Sequence, residues 1–228
     1  MEQFTGCTIQ TYTCRCFEKL TEPEKELLEK NTVIIRYKKG ELICKQGGLA
    51  SHMYFVENGL AKVFLDDGIN SLVLKVVTSG NLLGLSTISS DTQTYQYSAM
   101  TYIDSEVRQI DIQLFKKLIS ENPAFSKEVI SILGANSAQI NSRFFCFTHK
   151  QSYGRIADIL LCLADRIFKK YEFDLPLSRK DLAELCGMSQ ETVVRMLKKF
   201  DEEGIIRIKG KNFRILNYDR LKTISEKG

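Results

Sequence analysis

Residues 177–197 gather side chains whose types and spacing could read or hold a nucleic acid. Leu182, Ala183 and Leu185 recur as the inner face of one short helix, and Met188, Val193 and Leu197 as that of a second, with Gly187 at the tight turn between them. The second helix would point Gln190, Glu191, Val194 and Arg195 outward from its amino-terminal half. An arginine can bond the O6 and N7 of guanine together. A glutamate accepts from the cytosine N4 amine, and a glutamine can bond adenine through two atoms. Ser178, Arg179, Ser189, Thr192, Lys198 and Lys199 supply hydroxyls and cations that suit phosphate oxygens, which orient a protein on DNA without reading its sequence.

A second set of residues could bind metal or carry redox chemistry. Cys7, Cys14 and Cys16 form C-x6-C-x-C near the amino terminus, and Cys44 could add a fourth thiolate. There are seven cysteines, an odd number that suggests no disulfide framework, so reduced thiols are the default expectation. Cys146, Cys162 and Cys186 fall within apolar helical patterns, where a cysteine behaves as a small hydrophobe. His52 and His149 are the only histidines. His52 begins a strand and His149 ends the long helix, where it is a candidate metal ligand, although a lone histidine more often caps a helix or faces water. No phosphate-cradling G-x-x-x-x-G-K-[ST], H-E-x-x-H or G-x-S-x-G sequence occurs, and nothing points to an enzyme.

These residues need elements to position them. From 33 to 112, short β-rich runs at 33–37, 41–45, 52–57, 60–65, 72–77, 97–100 and 105–111 alternate with glycine-bearing turns. Asn58-Gly59 and Asp67-Gly68 are strong hairpin signals, and the regular spacing predicts an antiparallel barrel or jelly roll. Before it, Thr21 and Glu24 form a capping box with Pro23 in the first helical turn. After it, Asp111 can cap a short helix that ends near Asn122-Pro123. A longer helix is predicted over 124–149, with Ile130, Leu133, Ser137, Ile140, Phe144 and Phe147 spaced by alternating threes and fours, a heptad seam that suits self-association. Helices over 154–171, 179–186 and 189–203 follow, the last ended by Gly204, then a hairpin of 205–208 and 213–216 around Lys209-Gly210-Lys211. The expected fold is therefore α+β, with divisions at 1–123, 124–149 and 150–228.

Charge follows the same division. Residues 1–149 carry a net −1 and residues 150–228 a net +5, the sign that a phosphate-binding module needs. No apolar run reaches the length of a membrane span, and the start lacks a basic segment leading into an apolar one. A cytoplasmic protein without membrane contact is expected.

Several stretches together resemble the Crp–Fnr superfamily of bacterial transcription regulators. Lys39-Gly-Glu-Leu-Ile-Cys-Lys-Gln-Gly and Tyr54-Phe-Val-Glu-Asn-Gly-Leu-Ala-Lys-Val resemble the family's first two barrel motifs. Ser79-Gly-Asn-Leu-Leu-Gly-Leu falls at its phosphate-binding cassette, Tyr153-Gly-Arg-Ile-Ala at the start of its DNA-binding domain, and Ser189-Gln-Glu-Thr-Val-Val-Arg at its recognition helix. The resemblance implies a jelly-roll sensor barrel, a long dimerisation helix and a winged helix-turn-helix. It implies a homodimer on an inverted-repeat operator in double-stranded DNA, with RNA polymerase as a further partner. Base-reading roles transfer to Glu191 and Arg195. Gln190 stands where some members carry a second guanine-reading arginine.

The same resemblance bears on the signal. Members that bind cyclic AMP follow the cassette glycine with glutamate and later place Arg-Ser. Here Gly84 is followed by Leu85, and Tyr97-Ser98 replaces Arg-Ser, so cyclic AMP is disfavoured. An apolar pocket formed by Leu83, Gly84, Leu85, Tyr97, Ser98, Ile140, Asn141 and Phe144 would accept haem or another small ligand. An iron–sulfur cluster on the cysteines ranks below haem because their spacing departs from that of the oxygen-sensing members. Thiol oxidation, and a ligand-binding adaptor of the same fold, remain alternatives.

Overall fold

The computed structural model describes residues 13–69, 71–89, 91 and 93–228. Cys7 therefore lies outside the described residues. The contacts divide the described residues into two compact units, one of 13–69 and 75–138, the other of 139–228 with 71–74.

The first unit opens with a single-turn helix, Cys16–Lys19, and α1, Glu22–Lys30. The capping box of α1 forms as expected, with the Thr21 amide donating to the Glu24 carboxylate at 2.7 Å. Eight strands follow: β1 (Thr32–Tyr37), β2 (Leu42–Cys44), β3 (His52–Asn58), β4 (Leu60–Asp66), β5 (Ser71–Thr78), β6 (Asn81–Leu83), β7 (Ser98–Thr101) and β8 (Ser105–Asp111). They build two four-stranded sheets, in the orders β1-β8-β3-β6 and β2-β7-β4-β5, in which β1–β8, β8–β3, β3–β6, β2–β7 and β7–β4 pair antiparallel. Seven of the strands lie at the predicted runs. The three-residue β6 is too short for alternation to reveal it, and it sits inside the cassette.

α2 (Ile112–Glu121) is capped by Asp111, whose carboxylate accepts from the Gln113 and Leu114 amides, each at 2.9 Å. Asn122 leaves helical geometry and its side chain accepts from the Phe125 amide, so Pro123 opens a new helix, α3 (Pro123–His149). Phe125, Val129 and Ile132 of α3 enter the first unit's core beside Phe115, Leu118, Met53, Leu82 and Ile110. The rings of Phe115 and Phe125 meet edge to face at 5.3 Å.

The second unit holds α4 (Ser152–Cys162), a wide helical turn over Leu163–Phe168, β9 (Glu172–Asp174), α5 (Arg179–Cys186), α6 (Gln190–Glu202), β10 (Ile206–Lys209), β11 (Asn212–Ile215) and α7 (Tyr218–Lys227). The hairpin β10–β11 gains β9 as a third antiparallel strand. Neither β9 nor α7 is among the predicted elements. α7 is seated on α4 by a buried polar knot: Lys150 Nζ lies 2.7 Å from Asp158 and 2.6 Å from the Ser225 carbonyl, and the Ser225 hydroxyl donates to Asp158. Gly154 permits this approach, since a Cβ there would lie 2.4 Å from the Gly228 carbonyl oxygen.

One buried cation in the barrel yields a testable consequence. Lys75 of β5 is 5% exposed and donates to the Asn136 side chain on α3 at 2.8 Å. Burial pulls its ammonium down to about 8. Because the folded value lies below the unfolded one, folding releases the proton and stability rises with pH between them. Lys75→Met is expected to raise stability at pH 7 by on the order of 1 kcal/mol. The advantage should shrink as pH climbs from about 8 toward the ordinary lysine value near ~10.4. Thermal melts of both proteins across that range check the expectation.

Candidate nucleic-acid interface

α5 and α6 form the two helices anticipated around Gly187, and each start is fixed by local chemistry. The Ser178 hydroxyl accepts from the Asp181 amide at 3.1 Å while the Asp181 carboxylate accepts from the Ser178 amide at 2.8 Å. Ser189 caps α6 by accepting from the Thr192 amide at 3.2 Å. Between them Gly187 takes a left-handed conformation, φ 59°, and the Met188 amide returns to the Ala183 carbonyl at 3.1 Å. A Cβ at Gly187 would lie 2.5 Å from the Phe147 ring, so the position excludes a side chain for two separate reasons.

The inner faces include the predicted Leu182, Ala183 and Leu185 of α5 and Val193 and Leu197 of α6, all buried, with Met188 only half-buried and the buried Met196 and Phe200 added. This leaves Gln190, Glu191, Val194 and Arg195 exposed along one side of α6, with Ser189 exposed at its start and Thr192 half-buried. The Glu191 carboxyl is held below the usual carboxylate range by its own amide and by the Ser189 hydroxyl. It is thus an acceptor, as a partner for a cytosine amine must be. Ser178 is exposed at the start of α5, and Arg179 is half-buried beside it.

The two adjacent lysines differ in setting. Lys198 lies 3.6 Å from Glu202, whereas Lys199 lies 3.8 Å from Glu203 and 5.0 Å from the Tyr153 ring. The exposed Lys209 and Lys211 flank the β10–β11 turn at Gly210, φ 61°. They were not assigned to the site from sequence, although the Lys-Gly-Lys turn itself was the available signal. Arg143 of α3 steadies the inner end of α5, with its guanidinium donating to the Leu185 carbonyl and to the Val73 carbonyl, each at 2.7 Å, and lying 4.3 Å from the Phe147 ring. Phe147, expected as the last member of the heptad seam, is half-buried in its own chain between Arg143 and Gly187. Leu133, also expected in the seam, is half-buried against the first unit's core, while the others look outward: Ile130 is 67% exposed, Ile140 42% and Phe144 70%, and Ser137 is exposed.

In the barrel, the expected pocket residues are largely committed to other contacts. Leu83 and Leu85 are buried in the core, and the Gly84 amide donates to the Tyr97 hydroxyl at 2.7 Å. Ser98 accepts from the Gln46 amide at 3.0 Å. A cyclic phosphate would have to displace a hydroxyl already bonded to the cassette amide, and these residues do not fit one. Ile140, Asn141 and Phe144 are exposed on α3. An open cavity of about 770 Å³ lies instead beside Leu49, Ala50, Ile88, Ile112, Lys116 and Ile119.

The metal-ligand candidates are dispersed. Cys14 and Cys16 have sulfurs 2.8 Å apart, both buried. The Cys16 thiol holds the Cys14 thiol below its usual range against the opposing effect of burial, and Cys16 is itself pushed up, first by that bond and then by burial. Cys44 sits in β2, where burial pushes it up to about 12. Among the described residues, which leave out Cys7, no three His, Cys, Asp or Glu side chains converge as a metal site, and Cys44 does not join Cys14 and Cys16 in such a group. His149 stacks on Phe145 at 4.2 Å, with Nδ1 2.8 Å from the Thr148 hydroxyl and 3.1 Å from the Phe145 carbonyl, which places it as an exposed helix-end residue. No described helix is long and apolar enough to cross a membrane.

Comparison with known proteins adds to this geometry. Residues 34–122 match the cyclic nucleotide-binding domain family and residues 154–224 the Crp-like helix-turn-helix domain family. The chain is 27% identical to the transcriptional activator protein FnrA of Stutzerimonas stutzeri, over 79% of this chain and 75% of that protein. It is 25% identical to the fumarate and nitrate reduction regulatory protein of Vibrio cholerae, over 98% and 93% respectively. A solved transcriptional regulator of the Crp–Fnr family from Eubacterium rectale superimposes with a TM-score of 0.79 at 19% identity, covering 93% of this chain and 98% of that one.

The turn at Gly187 offers a direct check. Gly187→Ala should destabilise the protein through left-handed strain of roughly 1–2 kcal/mol and more from contact with Phe147. Gly204→Ala has the same kind of backbone but open space around it, φ 68°, so it should show the strain alone. Paired melting curves separate the two contributions.

Proposed function

This chain is a member of the Crp–Fnr family of transcription regulators, and we propose that it binds an inverted-repeat operator in double-stranded DNA as a homodimer and answers a signal other than a cyclic nucleotide. The observation that carries the reading is the divided surface of α6: Val193, Met196, Leu197 and Phe200 anchor it, and Gln190, Glu191 and Arg195 stand exposed on its outer side. In this reading Arg195 bonds a guanine, Glu191 the cytosine paired with it or next to it, and Gln190 an adenine. Ser178, Arg179, Ser189, Thr192 and Lys198 hold the phosphates, with Lys209 and Lys211 of the wing added. Lys199, drawn toward Tyr153 and Glu203, contributes less.

Dimerisation through α3 is supported by the exposed apolar seam of Ile130, Ile140 and Phe144. Two-fold symmetry then demands half-sites whose centres lie roughly 34–36 Å apart. RNA polymerase is the proposed protein partner of the DNA-bound dimer. The signal would act by binding or modifying two arrangements of the dimer unequally, since only a differential interaction shifts an equilibrium.

Selection of sites from random DNA should recover inverted repeats. Arg195→Ala should cost roughly 1–3 kcal/mol per half-site and relax preference at one base pair. Lys198→Ala should weaken all sequences alike and lower the salt slope. Recovery of non-palindromic sites, or an unaltered base preference in Arg195→Ala, would refute the placement. Phe144→Glu should sediment as a monomer and lose operator binding. A wild-type protein that remains monomeric on DNA would refute the dimer.

A further inference from the structure

The sulfurs of Cys14 and Cys16 lie 2.8 Å apart in the first unit's core, at 8% and 0% exposure. Two features hold them there. The Cys14 amide donates to the Gly80 carbonyl at 2.8 Å, which fastens this segment to the turn between β5 and β6. Arg15, between the cysteines, bends at φ −110° and ψ 13° and leads into the single-turn helix, and the two thiols, which already share a side of the chain as residues i and i+2, meet across this bend.

We propose that Cys14 and Cys16 are a redox-active dithiol that closes to an intramolecular disulfide with a small disulfide oxidant, and that closure alters the seating of α3. The proposal rests on the regulator reading above, for which it supplies a signal. Cys14, the more exposed of the two, attacks one sulfur of the oxidant as the thiolate. The oxidant's S–S bond breaks, a mixed disulfide forms and one thiolate leaves. Cys16 gives up its proton and attacks the Cys14 sulfur, and the second half of the oxidant leaves as a thiolate. The protein loses two protons and two electrons, and the oxidant, taking up both, becomes two thiols.

Closure is coupled to α3 through direct packing. Cys14 and Cys16 share a core with Phe125, Val129 and Ile132 of that helix. Phe17, adjacent to Cys16, meets the Phe55 ring at 5.2 Å and the Phe125 ring at 6.2 Å. Drawing the sulfurs to bonding distance, about 2.05 Å, must shift Phe17 and its neighbours, because a close-packed core has no room to absorb the change.

The test uses the full-length protein equilibrated with cystamine and cysteamine at set ratios, then alkylated, digested and mapped by mass spectrometry. Operator affinity is measured on the same samples. A Cys14–Cys16 cross-link, with operator affinity changed by about fivefold or more, supports the proposal. Cys14→Ala and Cys16→Ala should bind operator and not respond to the oxidant, and their melting curves confirm folding. No cross-link at any ratio, or pairing of either residue with Cys7 or Cys44 instead, overturns it. A cross-link without an affinity change overturns the coupling to α3. Iron and sulfide retained through both cysteines in anaerobically purified protein also overturns it. Absence of operator binding in every redox state would instead defeat the regulator reading, with the cross-link itself unaffected.

Discussion

The 27 residues of α3 carry apolar side chains on two sides, and one chain can exclude water from only one of them. Phe125, Val129, Ile132 and Cys146 are buried, while Ile130, Ile140 and Phe144 stand in solvent at 67%, 42% and 70% exposure. At about 25 cal/mol for each Å² of apolar surface, an exposed seam of this kind is a standing drive toward association. Much else rests on this helix. Its first turns close the core that holds Cys14 and Cys16, and its last turns carry Arg143 and Phe147, which bear on α5 and Gly187.

The recognition surface shows why a rigid mount matters more than the reading residues alone. Gln190, Glu191 and Arg195 are long and mobile by themselves, and a contact to a base edge must be held near one geometry to discriminate. The Ser178–Asp181 box, the Ser189 cap and the left-handed turn at Gly187 set the helix starts. Arg143 and Phe147 then clamp the turn from beneath.

The barrel keeps the family's cassette while changing its chemistry. The Gly84 amide, which could meet a phosphate, meets the Tyr97 hydroxyl instead, and Ser98 is taken by the Gln46 amide. The fold is retained because the strands and turns are retained, and ligand choice lies in a few side chains on them. The dithiol pair beneath α3 offers a route for a signal that needs no cavity.

Features governed by near neighbours in the chain were legible in the amino-acid order. Turn glycines, capping pairs, the alternation of seven strands and the amphipathic period of α6 depend on spacings of two to four residues, and the structure shows them where expected. The candidate DNA-reading residues followed from the same local logic. What the sequence left open depends on contacts between distant segments. Periodicity marks a face as apolar but does not say what covers it, so Phe147 read as part of the seam although it packs against Gly187, forty residues on. Tyr97 reached Gly84 across thirteen residues, α7 was seated by Lys150, Asp158 and Ser225, and the three-residue strands β6 and β9 existed only through their partners. Such contacts are settled by which surfaces meet when the chain closes on itself, and only the tertiary structure records that choice.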